Sequence, residues 1–139
     1  MKAKYFSIEE LVCPHVLEKY GEKAWMFLDD RLIYNLDTIR ERIGKPIFVN
    51  IGDLSQRGLR CNQCQIVKDK AGELYLSAHI MGKAVDFNVR DIEAEVMRLW
   101  LAKNGHLLPY PIRLESGVSW IHMDIFPNEL GLKVFIFKP

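Results

Sequence analysis

The chain is poor in the features that staple a protein or anchor it in a membrane. It has three cysteines among 139 residues, an odd number that argues against a disulfide framework. Its four histidines make any two that share a motif stand out. Formal net charge is +1, with no basic run and no acidic tail, which removes the electrostatic case for nucleic acid or a membrane surface as partner. No apolar run approaches the length of a membrane-spanning helix. The stretch Met1 to Glu10 lacks the apolar core of a secretory signal. Repeats and low-complexity segments are missing too. What remains, 49% hydrophobic and 27% charged, is the composition of one globular domain over residues 1–139, long enough to bury its own core.

Two segments rise above this plain background: Ser77-Ala-His-Ile-Met-Gly-Lys-Ala-Val-Asp86 and Trp120-Ile-His-Met-Asp124. Together they offer His79, Asp86 and His122, two imidazoles and a carboxylate. Such a trio fills three corners of a zinc tetrahedron and leaves the fourth to water, as a catalytic site requires. The local patterns agree. From Ala84 to Val89 the chain alternates, with Val85, Phe87 and Val89 opposite Ala84, Asp86 and Asn88. From Trp120 to Ile125 it alternates again, with Ile121, Met123 and Ile125 opposite Trp120, His122 and Asp124. Two half-buried strands side by side would hold Asp86 and His122 on one polar face. His79 precedes the first strand, and Gly82 allows the loop between them a tight turn.

Elsewhere, Ser7-Ile-Glu-Glu10 has the form of a capping box opening a short helix. Trp25, Leu28, Leu32, Leu36, Ile39 and Ile43 recur at helical spacing and predict a core-facing helix from about Lys23 to Ile43, stopped by Gly44. Ile47 to Ile51 reads as a buried strand. Gly52 to about Leu76 reads as a long loop, with a short hairpin around Ala71-Gly72, leading into His79. Asp91 is expected to cap a helix from Ile92 to about Lys103 that turns Ile92, Val96, Leu99 and Trp100 inward. Ile112–Glu115, Ser119–Ile125 and Leu132–Phe137 supply further strands, with Phe126 to Gly131 as the turn between the last two. The expected class is α+β, with helices packed on one face of a small, mainly antiparallel sheet.

Cys61-Asn-Gln-Cys64 has the spacing of half a zinc knuckle or of a redox pair. Cys13-Pro-His15 completes a four-ligand site only if the fold carries it there. The default expectation is reduced, partly exposed thiols in a loop. His15 and His106 have no partner motif and read as structural or solvent-exposed.

The Ser77-x-His-x-x-Gly-x-Ala-x-Asp86 signature followed by Trp-x-His-x-Asp124 resembles the D-alanyl-D-alanine carboxypeptidase-like zinc peptidases. That family shares its fold with the hedgehog signalling domain. The likeness is strongest to small single-domain members from phages and bacterial genomes. Phe6-Ser-Ile-Glu-Glu-Leu11 resembles the family's opening helix, and Gln56-Arg-Gly-Leu-Arg60 resembles the segment ending in its substrate-binding arginine. The resemblance implies that His79, Asp86 and His122 bind zinc. It implies that Arg60, with Arg57 as competitor, and Ser77 hold the substrate's terminal carboxylate or backbone; a guanidinium grips a carboxylate with two parallel hydrogen bonds. The general base is a departure. Many members place Glu three residues before the last histidine, where this chain has Ser119. Glu115 resembles a glutamate that hedgehog-type domains carry further back, and Asp124, on the face of His122, competes with it as base or as an acceptor that orients a ligand ring.

The resulting expectation is a zinc metallopeptidase, a carboxypeptidase or endopeptidase, acting on D-alanine-containing stem peptides of peptidoglycan. A phage-type enzyme of this kind is made in the cytoplasm and acts at the cell wall after release. The alternative is a non-catalytic zinc-containing module that binds cell-wall peptides or serves a phage structure. A third reading, a protein working through Cys61 and Cys64, requires both thiols while dispensing with His79.

Overall fold

Alternation in the sequence becomes strand pairing in the computed structural model, which describes residues 1–139. Strands β1 (Ile47–Phe48), β2 (Ala84–Val89), β3 (Ile112–Glu115), β4 (Ile121–Asp124) and β5 (Val134–Phe137) form one sheet in the order β1-β2-β4-β3-β5. Helices α1 (Pro14–Tyr20), α2 (Asp30–Ile43), α3 (Gln65–Lys68) and α4 (Ala94–Lys103) complete an α+β fold. Three strand pairs are antiparallel; the fourth, β3 with β5, is parallel, so the sheet is mixed. That pairing corrects the reading of Phe126 to Gly131 as a turn between neighbouring strands. The segment instead carries the chain past β3 to the edge of the sheet.

One side of the sheet is apolar. Val85, Phe87, Ile112, Leu114, Ile121 and Met123 are almost free of solvent. They share a single cluster with Leu32, Leu36 and Ile39 of α2 and with Met97 and Leu101 of α4. Each such side chain contributes about 1.5–3 kcal/mol on burial, so this layer is what fixes the opposite, polar face in place.

The expected Lys23–Ile43 helix is broken into two. A 3-10 segment, Gly21–Phe27, ends at Leu28, and Asp29 then caps α2 by accepting the Arg31 N–H at 2.9 Å. The break has a cause outside the helix. The Asp29 N–H donates to Gly82 O at 2.9 Å, so the loop that follows His79 docks into the gap. A Cβ on Gly82 would lie 1.8 Å from Phe27 O, and its φ is +68°, so only glycine fits this contact. Despite the break, Trp25, Leu28, Leu32, Leu36 and Ile39 are all buried as the stripe implies.

Three other expectations are corrected. Strand β1 stops at Phe48, because Asn50 turns its side-chain amide to the carbonyls of Glu9 and Val12 while its own N–H donates to Glu10 O. No hairpin forms at Ala71-Gly72; the loop carries α3 instead. Helix α4 starts at Ala94 and Asp91 sits in the preceding turn at φ +61°; the helix's buried residues are Met97, Arg98 and Leu101, while Ile92 and Trp100 pack partly buried against the core as expected. Val96 and Leu99 face solvent.

Candidate metal-binding cleft

The register of β2 against β4 sets Asp86 directly opposite His122. His122 Nδ1 lies 2.9 Å from Asp86 Oδ1, and His79 Nε2 approaches the same oxygen at 3.3 Å. His79 reaches it from the loop before β2, its ring centroid 5.3 Å from that of His122. The three ligand-type atoms all lie within 4.8 Å of one another, and all three residues are largely buried.

The outer nitrogen of each ring is held. His79 Nδ1 donates to Gly58 O at 2.9 Å, because a carbonyl only accepts, and this leaves Nε2 facing the site. His122 Nε2 lies 2.8 Å from Asp124 Oδ2, which leaves Nδ1 for the site. Asp124 is itself gripped by Arg113, with Nε to Oδ1 at 2.8 Å and Nη2 to Oδ2 at 3.0 Å, and it accepts the Phe126 N–H at 3.1 Å. Orientation of ligand rings by outer carboxylate or carbonyl acceptors is the support that metal-binding histidines need.

The charge balance points the same way. Burial raises the Asp86 carboxyl, but hydrogen bonds from His122 and His79 outweigh it and hold Asp86 well below the usual carboxylate range. Burial lowers His122, yet the carboxylates of Asp124 and Asp86 on its two nitrogens push it up to about 9. The cleft therefore favours one positive charge between Asp86 and the two rings, which a proton or a cation can supply. Two imidazoles and a carboxylate are a donor set suited to zinc.

The trio opens on a cavity of about 430 Å³. Arg60, Ser77, Glu115 and Asp124 line it with the three ligand-type residues. Arg60 Nη2 donates to Asp86 Oδ2 at 3.2 Å and Nε to Gln56 O at 2.6 Å. Ser77 Oγ accepts the Ile80 N–H at 3.4 Å. Gly117, at φ +80°, turns the chain between β3 and β4 beyond Glu115. Arg57 lies apart. Its guanidinium donates to Phe48 O, Val49 O and Asn88 Oδ1 and faces a neighbouring cavity, so it braces β1 against β2. Ser119 faces that neighbouring cavity too.

Arg113 and Arg98 have roles here that sequence reasoning missed. Arg113 faces the cleft from β3, and its guanidinium also lies 4.5 Å from the Phe137 ring centroid. The signal for it was present, since Ile112, Arg113, Leu114 and Glu115 alternate like the other strands. Arg98 is buried on α4 and donates to Trp120 O and Val118 O at 2.9 Å each and to Glu115 O at 3.5 Å. It clamps the β3–β4 turn that carries Glu115.

A second cluster lies on the other side of the Arg60 segment. Cys13, His15, Cys61 and Cys64 bring four ligand-type atoms within 4.8 Å of one another, so this Cys/His set could bind a metal ion. This corrects the expectation of partly exposed loop thiols, since Cys13 and Cys64 are buried, and of a partnerless His15. His106 has no place in either cluster.

No protein-family model, curated protein or solved structure matches the chain. The functional reading therefore rests on the cleft itself.

Proposed function

We propose that the cleft is the active site of a zinc peptidase of the hedgehog/D-alanyl-D-alanine-peptidase type that hydrolyses D-alanine-containing stem peptides of peptidoglycan. The observation that carries this reading is the convergence of His79 Nε2, Asp86 Oδ1 and His122 Nδ1, with both outer ring nitrogens already held, beside an arginine and a free glutamate in one cavity. Zinc held by these three side chains supplies Lewis acidity and lowers the pKa of water to about 7.

The chain's own groups divide the remaining work. Arg60 receives the substrate's terminal carboxylate, and Ser77 hydrogen-bonds the backbone beside it. Glu115 removes a proton from the attacking water and delivers it to the leaving amine, while the bond between carbonyl carbon and that nitrogen breaks. A positioned base of this kind is worth about 10²–10⁴ in rate. Asp124 is a positioning residue rather than the base: with Arg113, His122 and the Phe126 N–H around it, neither of its oxygens is left for substrate. No helix is long and apolar enough to cross a membrane, and action at the wall after release from the cytoplasm belongs to the same proposal.

Incubating the zinc-loaded protein with purified peptidoglycan, and separately with a peptide ending in D-Ala-D-Ala, tests the reading. New free amines are expected, and the His122→Ala variant should give none. Free D-alanine marks carboxypeptidase action, whereas amines released from the wall without it mark an endopeptidase. Ser119 at the position where many related peptidases carry glutamate favours a second reading, a non-catalytic wall-binding module. Binding without release in this experiment would replace the enzyme with that module.

A further inference from the structure

Cys13 and Cys64 each occupy the position just before a helix, α1 and α3, and His15 lies in the first turn of α1. The two segments are far apart in sequence but are joined by backbone. Val12 and Leu59 form a parallel bridge, the Leu59 N–H donates to Leu11 O at 2.8 Å, and the Cys13 N–H donates to Leu59 O at 3.0 Å. Gly58 permits this approach, since a Cβ there would stand 2.1 Å from Leu11 O. The result sets His15 Nδ1 3.6 Å from Cys61 Sγ and 3.9 Å from Cys64 Sγ, with the two sulfurs 4.0 Å apart.

These three distances match one face of a metal tetrahedron, and Cys13 Sγ lies within 4.8 Å of the same three atoms. With Zn–S of about 2.3 Å and Zn–N of about 2.0–2.1 Å, a regular tetrahedron has S···S edges of about 3.8 Å and S···N edges of about 3.6 Å. A disulfide needs sulfurs at about 2.05 Å, and all three cysteines are free. The turn also aims donors at sulfur: Gln63 N–H points at Cys61 Sγ at 3.3 Å, and Cys61 N–H at Cys64 Sγ at 3.4 Å.

We propose that Cys13, His15, Cys61 and Cys64 hold a structural zinc ion, separate from the cleft. Four ligands saturate the tetrahedron and leave no corner for water, so the site does not catalyse. Three thiolates select a soft ion such as zinc over magnesium or calcium. Its place in the fold gives it a task. The segment it ties to α1 continues through Gly58, whose carbonyl holds His79, to Arg60, which contacts Asp86. The ion fixes from behind the loop that shapes one wall of the cleft. The site stands on its own geometry and does not depend on the cleft being a peptidase.

The test uses the full chain carrying His122→Ala, which dismantles the cleft trio and leaves the Cys/His set intact. Zinc-edge X-ray absorption should find about one tightly held zinc per chain with three sulfurs and one nitrogen. Cobalt in place of zinc should give thiolate-to-metal charge transfer in the near ultraviolet. A mercurial reagent should release that zinc in step with the reaction of the thiols, which keeps the test open even if Cys61→Ser with Cys64→Ser fails to fold. Zinc with no sulfur around it, thiols that react fully while zinc stays, or a folded protein that takes up no zinc would each overturn the assignment. None of these readings depends on hydrolysis.

Discussion

The two ligand clusters of this protein differ in number, chemistry and surroundings. The cleft draws His79, Asp86 and His122 from a loop and two paired strands, presents three donors of nitrogen and oxygen type, and opens on a cavity that Arg60, Ser77 and Glu115 share. The other draws Cys13, His15 and Cys64 from two helix starts and Cys61 from the turn before the second, presents four donors of which three are sulfur, and has no acid among them. Three donors beside a cavity leave room for chemistry. Four would close an ion off and make it a rivet. On the two proposals, the same 139-residue chain separates holding a wall in place from working on what lies against it.

The contrast breaks most sharply at His122. His122→Ala should reduce hydrolysis to background while zinc bound through sulfur survives; equal activity in the variant would refute the cleft as the site. Glu115→Gln should keep both metals and lower kcat by about 10²–10⁴. Full turnover by a zinc-replete Glu115→Gln protein would hand the proton transfer to another group. Asp124→Asn weakens the outer support of His122 and should cost the cleft about 10–100-fold in zinc affinity without touching the sulfur-bound ion. Competition with a chelator reads the two losses separately, and parallel weakening of both ions would show that the clusters are not independent. Removing the cysteine pair, as Cys61→Ser with Cys64→Ser, should change the chemical step least. Its effect belongs to stability: losing an ion present at about a thousand times its Kd costs about 4 kcal/mol, a fall in Tm on the order of 10 °C. An unchanged Tm in zinc-containing buffer would leave the sulfur cluster with no structural task.

How much of this was legible in the sequence differs between the same two regions. The cleft announced itself because period-two alternation puts Asp86 and His122 on the same phase of their strands, and the β2–β4 register then opposes them. Local pattern was enough to pair them. The sulfur cluster was only half visible. Cys61 and Cys64 form a local unit, but His15 lies 49 residues from Cys64, and their meeting depends on the Val12–Leu59 bridge and the missing side chain of Gly58. Neither leaves a periodic trace. Arg98 escaped for the opposite reason: hydropathy puts a charged residue outside the helix, whereas three carbonyls of the β3–β4 turn compensate it inside. The direction of β5 was equally hidden, since Val134, Phe135, Ile136 and Phe137 are apolar on both faces and fit either orientation.

One measurement reaches the central contrast directly: anomalous scattering at the zinc edge from crystals of the zinc-loaded protein. The account requires two peaks, one ringed by Cys13, His15, Cys61 and Cys64, the other held by His79, Asp86 and His122 with a fourth position left to solvent. A cleft without a peak, or with its ion bound elsewhere than the two rings and Asp86, would contradict it.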